Sequence, residues 1–188
     1  MSRFPFLVFE GLSGSGKTTI AKAVAEEIGG VYYQTPAKPF ALVRDDIDQF
    51  SSLDLTARFL FYAAGLVQAS SEISVLLDSC SVVCDRYWLT TVCYHESIGA
   101  KKVLDIGDIL KDIVVWPNFV FLIVCEDGER VRRLETRGLS YNDAQERLGT
   151  VEAEFVRSYN KFSMIKLDNS SKDIDVAVRT VMEVIRGR

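Results

Sequence analysis

Apolar residues along this chain fall into short runs, separated by longer stretches in which they recur every three or four positions. The first run, residues 4–10, is nearly continuous, which is typical of a strand covered on both faces in a parallel sheet. Strands are predicted at residues 4–10, 31–34, 81–84, 118–124 and 164–167. Because helical stretches separate them, the pattern predicts an α/β fold with a five-stranded parallel sheet and right-handed crossovers.

The helical stretches have recognisable boundaries. The first helix is predicted from about Lys17 to Ile28 and ends at Gly29-Gly30, a usual C-terminal break. The longest is predicted from about Asp54 to Asp78, with aromatic and aliphatic residues at helical spacing. The other helices are predicted over residues 40–50, 89–98, 103–114, 129–136, 140–162 and 173–185.

Length and composition narrow the class of protein. The 188 residues suit one compact domain spanning 1–188. A net charge of -4 gives no indication of a nucleic-acid surface, and no apolar run approaches the ~20 residues that span a bilayer. The four cysteines form no CxxC pair and are expected to be reduced thiols, which favours the cytoplasm. With a single histidine, His95, a zinc site is not expected.

Residues 10–19, EGLSGSGKTT, have the spacing of a phosphate-binding loop: two glycines separated by four residues, then Lys and Thr. Glycines let backbone N–H groups face phosphate oxygens, and the start of the helix adds its positive end. A Gly/Ser-rich turn would also contain these glycines, but the strand before and the helix after favour a nucleotide site. The predicted nucleotide contacts are Gly11, Ser13, Gly14, Ser15, Gly16, Lys17, Thr18 and Thr19.

A second group of charged residues is expected beside this loop. In such loops the lysine, here Lys17, reaches the β- and γ-phosphates, and Thr18 offers its hydroxyl to Mg²⁺. Asp85-Arg86 follows the third strand, at the sheet edge where the loop also lies. Asp85 can hold Mg²⁺ through water, and Arg86 can bind a phosphate with two hydrogen bonds. The alternative is that Asp85 caps the next helix and pairs with Arg86, and the adjacent loop favours the functional role.

The chain resembles the thymidylate kinases in several segments that occur in the same order. Residues 82–95, VVCDRYWLTTVCYH, are similar to the DRY segment of that family, and residues 10–19 to its EG-x-x-G-x-GKTT loop. Residues 61–64, FYAA, resemble its FAA segment, and residues 116–124 its apolar strand before the lid. In this register the further matching positions are Gln68, Thr90, Thr91, Tyr94, Arg133 and Arg137.

The resemblance implies a three-layer P-loop kinase that transfers the γ-phosphoryl group of Mg-ATP to the 5′-phosphate of a nucleoside monophosphate, dTMP or a related nucleotide. It also implies a homodimer formed through the long helix 54–78. Catalytic roles are implied for Lys17, Asp85, Arg86 and two arginines of a lid at about 133–147, Arg133 and Arg137. Contacts to the acceptor are implied for Arg44, Tyr62, Gln68, Arg86, Thr91 and Tyr94, and contacts to Mg²⁺ for Thr18 and Asp85.

The chain departs from the family mainly on the acceptor side. Ser13 replaces an aspartate of the loop, and Leu66 replaces the arginine of the FAADR segment. Gln34-Thr35 replaces Arg-Glu, Asn118 replaces an aspartate, and residues 139–142 lack the usual Arg/Asp-rich run. Losing one buried charge-assisted contact costs about 2–5 kcal/mol. We therefore expect ATP binding to be kept and acceptor specificity to have changed.

Other residues have two interpretations. His95 is expected to be a surface or packing residue rather than a catalytic base. The arginines at 130, 132, 133 and 137 form either a solvated helix face or the closing face of a lid. Tyr62 is either a core residue or a ring that stacks on the base. The acidic cluster Asp45-Asp46-Asp48 is expected to be solvated surface.

Rival functions remain open from the sequence. A deoxynucleoside kinase needs a base beside the free 5′-hydroxyl, and Gln34-Thr35-Pro36 offers none, although Asp85 could serve. A kinase for another small alcohol, such as a sugar or an antibiotic, is also consistent with the changed acceptor side. A GTPase would need an N/T-KxD run, which the chain lacks. A non-catalytic nucleotide-binding protein would not need the intact Lys17, Thr18 and Asp85.

Overall fold

The computed structural model describes residues 4–50, 52–101, 103–171 and 173–187. Its centre is a five-stranded parallel sheet with the strand order β2-β3-β1-β4-β5. The strands are β1 (Phe6–Glu10), β2 (Val31–Gln34), β3 (Val82–Asp85), β4 (Phe119–Val124) and β5 (Ile165–Asp168). In the central register Val8 lies between Cys84 of β3 and Val120 of β4. The predicted α/β class and the five parallel strands are confirmed.

Helices connect and flank the strands. In chain order they are α1 (Lys17–Glu27), α2 (Lys38–Ala41), α3 (Arg44–Gln49), α4 (Leu55–Leu76), α5 (Trp88–Ser97), α6 (Val103–Leu110), α7 (Asp127–Arg137), α8 (Tyr141–Glu146), α9 (Gly149–Tyr159) and α10 (Ile174–Arg186). Most of the predicted helices are present, with ends that differ from the prediction by at most four residues.

Two predicted helices were wrong in extent, because each is interrupted by a non-helical residue. The stretch 40–50 contains α2 and α3, separated where Val43 leaves the helical conformation at φ -110, ψ 1. The stretch 140–162 contains α8 and α9, separated where Leu148 is extended at φ -61, ψ 115. Ser140 starts α8 with a capping box, since its hydroxyl and the Asp143 carboxylate each accept the other's backbone N–H.

The sheet separates two apolar layers, which explains the nearly continuous apolar run of β1. Phe6 and Val8 face the layer that contains α4, α5 and α9, whereas Leu7 and Phe9 face the layer that contains α1 and α10. All four side chains are at most 1% exposed. Burial of this kind stabilises each side chain by about 1.5–3 kcal/mol, so β1 is anchored from both faces.

Helix α4 is the one helix among the described residues that meets a length and composition test for a membrane span. It has 22 residues with a hydropathy of 1.3 over its best window, of which 39% is buried. This is weak evidence by itself, because core helices pass the same test. Phe59, Leu66 and Ile73 of α4 pack into the first apolar layer, and α4 contacts α5 and α6.

The parallel arrangement places the carboxyl ends of all strands at one sheet edge. The loop at residues 11–16 follows β1, Thr35 follows β2, and Arg86 follows β3. Ligands of open parallel sheets bind beyond this edge. A cavity of about 590 Å³ opens there, lined by the loop and by residues of α4, α5, α7 and α8.

Candidate active site

The loop between β1 and α1 requires glycine at specific positions. Gly14 and Gly16 have φ of 83 and 95, in the left-handed region that favours glycine. A Cβ atom on Gly14 would lie 2.8 Å from the backbone oxygen of Arg130, and one on Gly16 would meet the side chain of Asn169. Gly16 also caps α1, so the positive end of that helix points towards the bend of the loop.

Side chains from α7 and from Asn169, the residue after β5, donate hydrogen bonds to the carbonyl oxygens of the loop. The Asn169 Nδ2 donates to the Ser15 oxygen at 2.8 Å, and Arg133 Nη1 donates to the same oxygen at 3.2 Å. Arg130 Nη1 donates to the Ser13 oxygen at 3.3 Å. These hydrogen bonds hold the loop carbonyls in an outward orientation. The sequence contained no local signal for Asn169, because this residue is far from the motif in the chain.

Arg130 and Arg132 separate the two interpretations of the basic helix face. Arg130 is 2% exposed and is paired with Glu152 as well as with the loop, so it is not part of a solvated face. Arg132 is exposed and pairs with Glu129 three residues earlier at 2.9 Å. The α7 arginines thus divide into an inward group and an outward one.

Lys17 is buried at the start of α1. Its Nζ donates to the Leu12 oxygen at 2.7 Å. Burial and the neighbouring Arg86 charge lower the pKa of Lys17 to about 7, against the opposing effect of the Asp85 and Glu146 carboxylates. A bound phosphate would supply negative charge at this position and stabilise the ammonium form.

Thr18 and Asp85 form an oxygen-rich pair at the sheet edge. The Thr18 hydroxyl donates to Asp85 Oδ2, and the Tyr32 hydroxyl donates to the same oxygen at 3.2 Å. Asp85 Oδ1 is buried and has no hydrogen-bond partner among the described residues. A hydroxyl beside a carboxylate with one unpartnered oxygen suits Mg²⁺, which prefers oxygen ligands and keeps several waters.

Arg86 is held in an unusual backbone conformation at the edge of the cavity. Its φ is 64, the one positive φ of a non-glycine residue in the described part of the chain. Its Nη2 donates to Ser13 Oγ at 3.0 Å and its Nη1 to Thr90 Oγ1 at 3.3 Å. The buried Glu10 accepts the Tyr87 N–H at 3.1 Å, which fixes the same turn. Such conformations persist where the surroundings over-determine them, often at functional sites.

The α8 segment of the predicted lid lies against the loop. The Ser13 N–H and hydroxyl donate to the two oxygens of the Glu146 carboxylate, at 2.6 and 3.0 Å. Arg86 and Arg130 each have a side-chain nitrogen 3.9 Å from this carboxylate. Arg137 lies at the cavity rim, where it pairs with Asp143 at 2.8 Å. The loop position that lacks an aspartate therefore contacts a carboxylate from another element.

Five polar side chains from four helices form a second group, which we call the Asp48 cluster: Asp48, Arg58, Tyr62, His95 and Asn142. The prediction of solvated surface was wrong for Asp48, which is 4% exposed because it points inwards from α3. Asp45 and Asp46 are exposed, as predicted. Burial would raise the pKa of Asp48, but hydrogen bonds from Tyr62 and the Arg58 charge outweigh it and lower this pKa.

His95 is a buried packing residue, one of the two possibilities predicted for it. Its Nδ1 lies 2.7 Å from the Thr91 backbone oxygen, so this nitrogen carries the proton and Nε2 accepts from Arg58 Nη1 at 3.3 Å. Burial lowers the pKa of His95 to about 4. The ring is neutral near pH 7.

The structure brings most of the predicted site residues to one cavity. The predicted residues that line it are Ser13, Gly14, Gly16, Lys17, Thr18, Thr19, Arg44, Tyr62, Asp85, Arg86, Thr91, Tyr94, Arg133 and Arg137. Gly11 and Ser15 belong to the loop behind this surface. Gln68 is not brought there: it is exposed on α4 and donates to Glu72 at 2.9 Å.

Sequence reasoning missed Arg58, although a signal for it existed. Arg58, Tyr62 and Leu66 are spaced by four residues on α4, and all three line the cavity. Once Tyr62 is placed at the site, helical periodicity places Arg58 there too. Glu146 and Asn142 had no comparable local signal.

Comparisons with known proteins agree on one family. The thymidylate kinase family profile matches residues 9–180. A probable thymidylate kinase of Methanococcus maripaludis is 28% identical over 190 residues, which covers 96% of this chain and 94% of that protein. The thymidylate kinase of Ehrlichia ruminantium is 27% identical over 154 residues, or 74% of this chain and 75% of the relative.

Solved structures show the same fold. A thymidylate kinase structure from Candida albicans has a TM-score of 0.82 at 20% identity, covering 98% of this chain and 92% of that one. A thymidylate kinase structure from Ehrlichia chaffeensis has a TM-score of 0.70 at 24% identity, covering 97% and 98%. The similarity extends over nearly the full length in both cases.

Proposed function

The chain belongs to the thymidylate kinase family, and we propose that it transfers the γ-phosphoryl group of ATP to the 5′-phosphate of dTMP or a closely related nucleotide. The observation that carries this proposal is the convergence of Lys17, the Thr18–Asp85 pair and Arg86 on one cavity. Phosphoryl transfer depends on positioning and charge neutralisation rather than on a covalent nucleophile. These side chains supply both.

On the donor side, the loop binds the ATP phosphates through the backbone N–H groups of residues 14–19 and through Lys17. Thr18 and Asp85 hold Mg²⁺, which would neutralise phosphate charge when bound. Arg133 supports the loop through the Ser15 carbonyl and adds positive charge beside it. Arg137 at the rim adds charge when the lid, about residues 133–147, covers the phosphates.

On the acceptor side, Arg86 and Arg44 bind the 5′-phosphate, and Tyr62, Thr91 and Tyr94 contact the nucleoside. Tyr62 is oriented by its hydroxyl, which donates to Asp48 at 2.7 Å, and in this proposal its ring stacks on the base. We assign no acceptor contact to Gln68, because it lies outside the cavity.

We also propose a homodimer that works in the cytoplasm. Apolar side chains are exposed on the long helix and on α6, including Val75 at 69% and Ile109 at 67%. Exposed apolar residues of this kind are typical of interfaces when they form a patch. Sedimentation velocity at several protein concentrations tests the assembly: a single monomeric species at micromolar protein would contradict it.

The decisive experiment incubates the protein with Mg-ATP and a panel of nucleoside monophosphates and free nucleosides. Turnover is measured as the release of ADP. We expect turnover of dTMP or another monophosphate. Lys17→Met should lower kcat/KM by about 10²–10³-fold, because one preorganised charge at the transferring phosphoryl group is lost. Lys166→Met, an exposed lysine of β5, is the matched control and should leave turnover unchanged.

Two results would contradict the proposal. If the folded protein phosphorylates no monophosphate of the panel, the proposed kinase function is excluded for these acceptors. Turnover of free nucleosides alone would move the chain to kinases that act on a free hydroxyl, an alternative that the comparisons do not favour.

A further inference from the structure

A tyrosine from the edge strand β2 reaches the Thr18–Asp85 pair. The Tyr32 hydroxyl donates to Asp85 Oδ2 at 3.2 Å, and the same oxygen accepts from the Thr18 hydroxyl. A further side-chain hydrogen bond joins Tyr32 to Thr18, so the three oxygens are all in contact with one another. Tyr32 lies outside the segments that resemble the thymidylate kinases, and the motifs therefore gave no indication of this contact.

The register of the sheet explains how Tyr32 reaches this position. Strand β2 pairs with β3 so that Tyr32 lies beside Val83, two residues before Asp85. Side chains two residues apart on a strand point to the same face, which here is the face covered by α1. The phenol extends along this face towards the end of β3, where its hydroxyl meets the Asp85 carboxylate.

Helix α1 also contacts the ring of Tyr32. Lys22 Nζ lies 5.3 Å from the ring centroid, which is a cation–π arrangement. Lys22 is one helical turn after Thr18, so the same face of α1 contacts both the ring and its hydroxyl. The ring is half-buried and packs against the apolar layer that contains α1. These contacts hold the ring in place and present its hydroxyl to Asp85.

Gln34 is a competing acceptor for the Tyr32 proton. Its Oε1 lies 3.3 Å from the Tyr32 hydroxyl, and its side chain is exposed, so water can satisfy the amide. A hydrogen bond to a carboxylate is about twice as strong as one between neutral groups. The single proton of the phenol is therefore donated to Asp85 rather than to Gln34.

Asp85 is left with one oxygen that has no donor. Oδ2 accepts from Thr18 and Tyr32, whereas Oδ1 is buried and has no hydrogen-bond partner among the described residues. Two donors on Oδ2 resist rotation of the carboxylate, so Oδ1 keeps one direction. Thr18 is itself a proposed metal ligand, which makes Tyr32 the donor that has no other task at this site.

From this arrangement, and resting on the proposed function, we infer that Tyr32 is a positioning residue for the metal site. Its hydroxyl holds the Asp85 carboxylate in the orientation that binds Mg²⁺ through water, and Tyr32 itself touches neither the metal nor the phosphates. Residues that hydrogen-bond to metal ligands orient them, and their loss typically lowers metal affinity by about 10–100-fold.

The test measures Mn²⁺ binding by electron paramagnetic resonance, with a non-hydrolysable ATP analogue bound, so that no turnover is involved. Mn²⁺ takes the same oxygen ligands as Mg²⁺. Tyr32→Phe removes only the hydroxyl and should raise the Kd of Mn²⁺ by about 10-fold or more. Tyr33→Phe is the matched control, because the Tyr33 hydroxyl donates to Glu72 at 2.6 Å and its ring packs against the other apolar layer. It should leave this Kd unchanged.

A second comparison asks whether Tyr32 acts through Asp85. In an Asp85→Asn background, Tyr32→Phe should change the Kd of Mn²⁺ by less than about 2-fold, because the carboxylate that it positions is gone. The affinity for the nucleotide in EDTA should be the same in wild type and Tyr32→Phe. A full effect of Tyr32→Phe in the Asp85→Asn background, or an equal loss of metal-free nucleotide binding, would show general support of the loop and overturn the inference.

The outcomes separate this inference from the proposed function. Equal or tighter Mn²⁺ binding by Tyr32→Phe, compared with wild type, would overturn the inference and leave the proposed kinase function intact. If wild-type protein with bound nucleotide does not bind Mn²⁺, both the inference and the assigned metal site are wrong. Urea denaturation of both variants confirms that they are folded, since each loses a single hydroxyl and keeps its ring.

Discussion

Two residues that differ from the family line a cavity that also contains charged side chains from outside the segments that resemble the family. Ser13 donates to Glu146 of α8, and Leu66 lies on the same face of α4 as Arg58. Relative to the family, both positions lack a charged side chain. The cavity nevertheless contains other charged residues, Glu146 and Arg58. We therefore expect acceptor specificity to depend on side chains that come from outside the motifs.

Asp85 gives the first prediction at this scale. Asp85→Asn should lower kcat and raise the Mg²⁺ concentration for half-maximal rate by about 10-fold or more, because a carboxylate next to Thr18 becomes a weaker neutral ligand. The measurement is initial rate against free Mg²⁺ at fixed ATP. Asp168→Asn, an exposed position at the same sheet edge, is the control, and an unchanged Mg²⁺ dependence in Asp85→Asn would rule out the assigned role.

His95 gives a prediction for stability. Its pKa is about 4 when folded, below the usual 6.5, so the unfolded chain binds the proton more readily between these values. Its contribution is present above pH 6.5 and is lost as the pH falls towards 4. Between pH 7 and pH 5 this loss is about 2 kcal/mol in the free energy of unfolding.

Urea denaturation of wild type and His95→Gln at both pH values isolates this effect, because His95 is the single histidine. The variant should lose about 2 kcal/mol less than wild type on acidification. Equal losses in the two proteins would show that His95 titrates normally in the folded state.

At the scale of elements, α8 is a short helix docked at both of its ends. Glu146 contacts the loop, and Asn142 contacts Asp48 and Arg58. Its own capping box stabilises its first turn, but six residues are too few for a helix to be stable alone. Its order therefore depends on these tertiary contacts.

Glu146→Ala should loosen α8 from the loop. We expect amide hydrogen exchange in residues 141–146 to accelerate by about 10–100-fold, because a buried charge-assisted pair of hydrogen bonds to Ser13 is lost. Exchange measured by mass spectrometry on the apo protein detects this without any assay of activity. The control is Glu154→Ala, whose carboxylate is 53% exposed; equal acceleration in both variants, or none in Glu146→Ala, would contradict the docking role.

At the scale of the whole molecule, the sheet separates two cores that share the strands but consist of different side chains. Ile73 of α4 lies in one layer and Ile123 of β4 in the other, and both are at most 1% exposed. The strands connect both layers, so we expect the chain to unfold as one cooperative unit.

Ile73→Val and Ile123→Val test this arrangement. Each removes one buried methylene and should lower the free energy of unfolding by about 0.5–1.5 kcal/mol. Since the layers are separate, the double variant should show the sum within about 0.5 kcal/mol. Urea denaturation followed by tryptophan fluorescence and by circular dichroism is the measurement. A coupling energy above 1 kcal/mol, or transitions that do not coincide, would contradict it.

Local patterns in the sequence were sufficient to predict the sheet, the loop and the residues at the sheet edge. The continuous apolar run of β1, the glycine spacing and the Asp85-Arg86 pair are local signals, because strand burial and loop geometry act over a few neighbouring residues. Their position at one edge then follows from parallel pairing alone. Local signals could not show which arginines of α7, or which acidic residues at 45–48, are buried. The solvent exposure of a helical side chain depends on what packs against that helix.

The tertiary structure was needed to show which charged side chains meet in the cavity. Ser13 and Glu146 are 133 residues apart in the chain, and Arg58 and Asn142 are 84 apart. It also placed Gln68 outside the site and buried Asp48 against Arg58 and Tyr62. Spacing along the chain contains no information on such pairs, since a contact between distant elements is set by the packing of whole helices on the sheet.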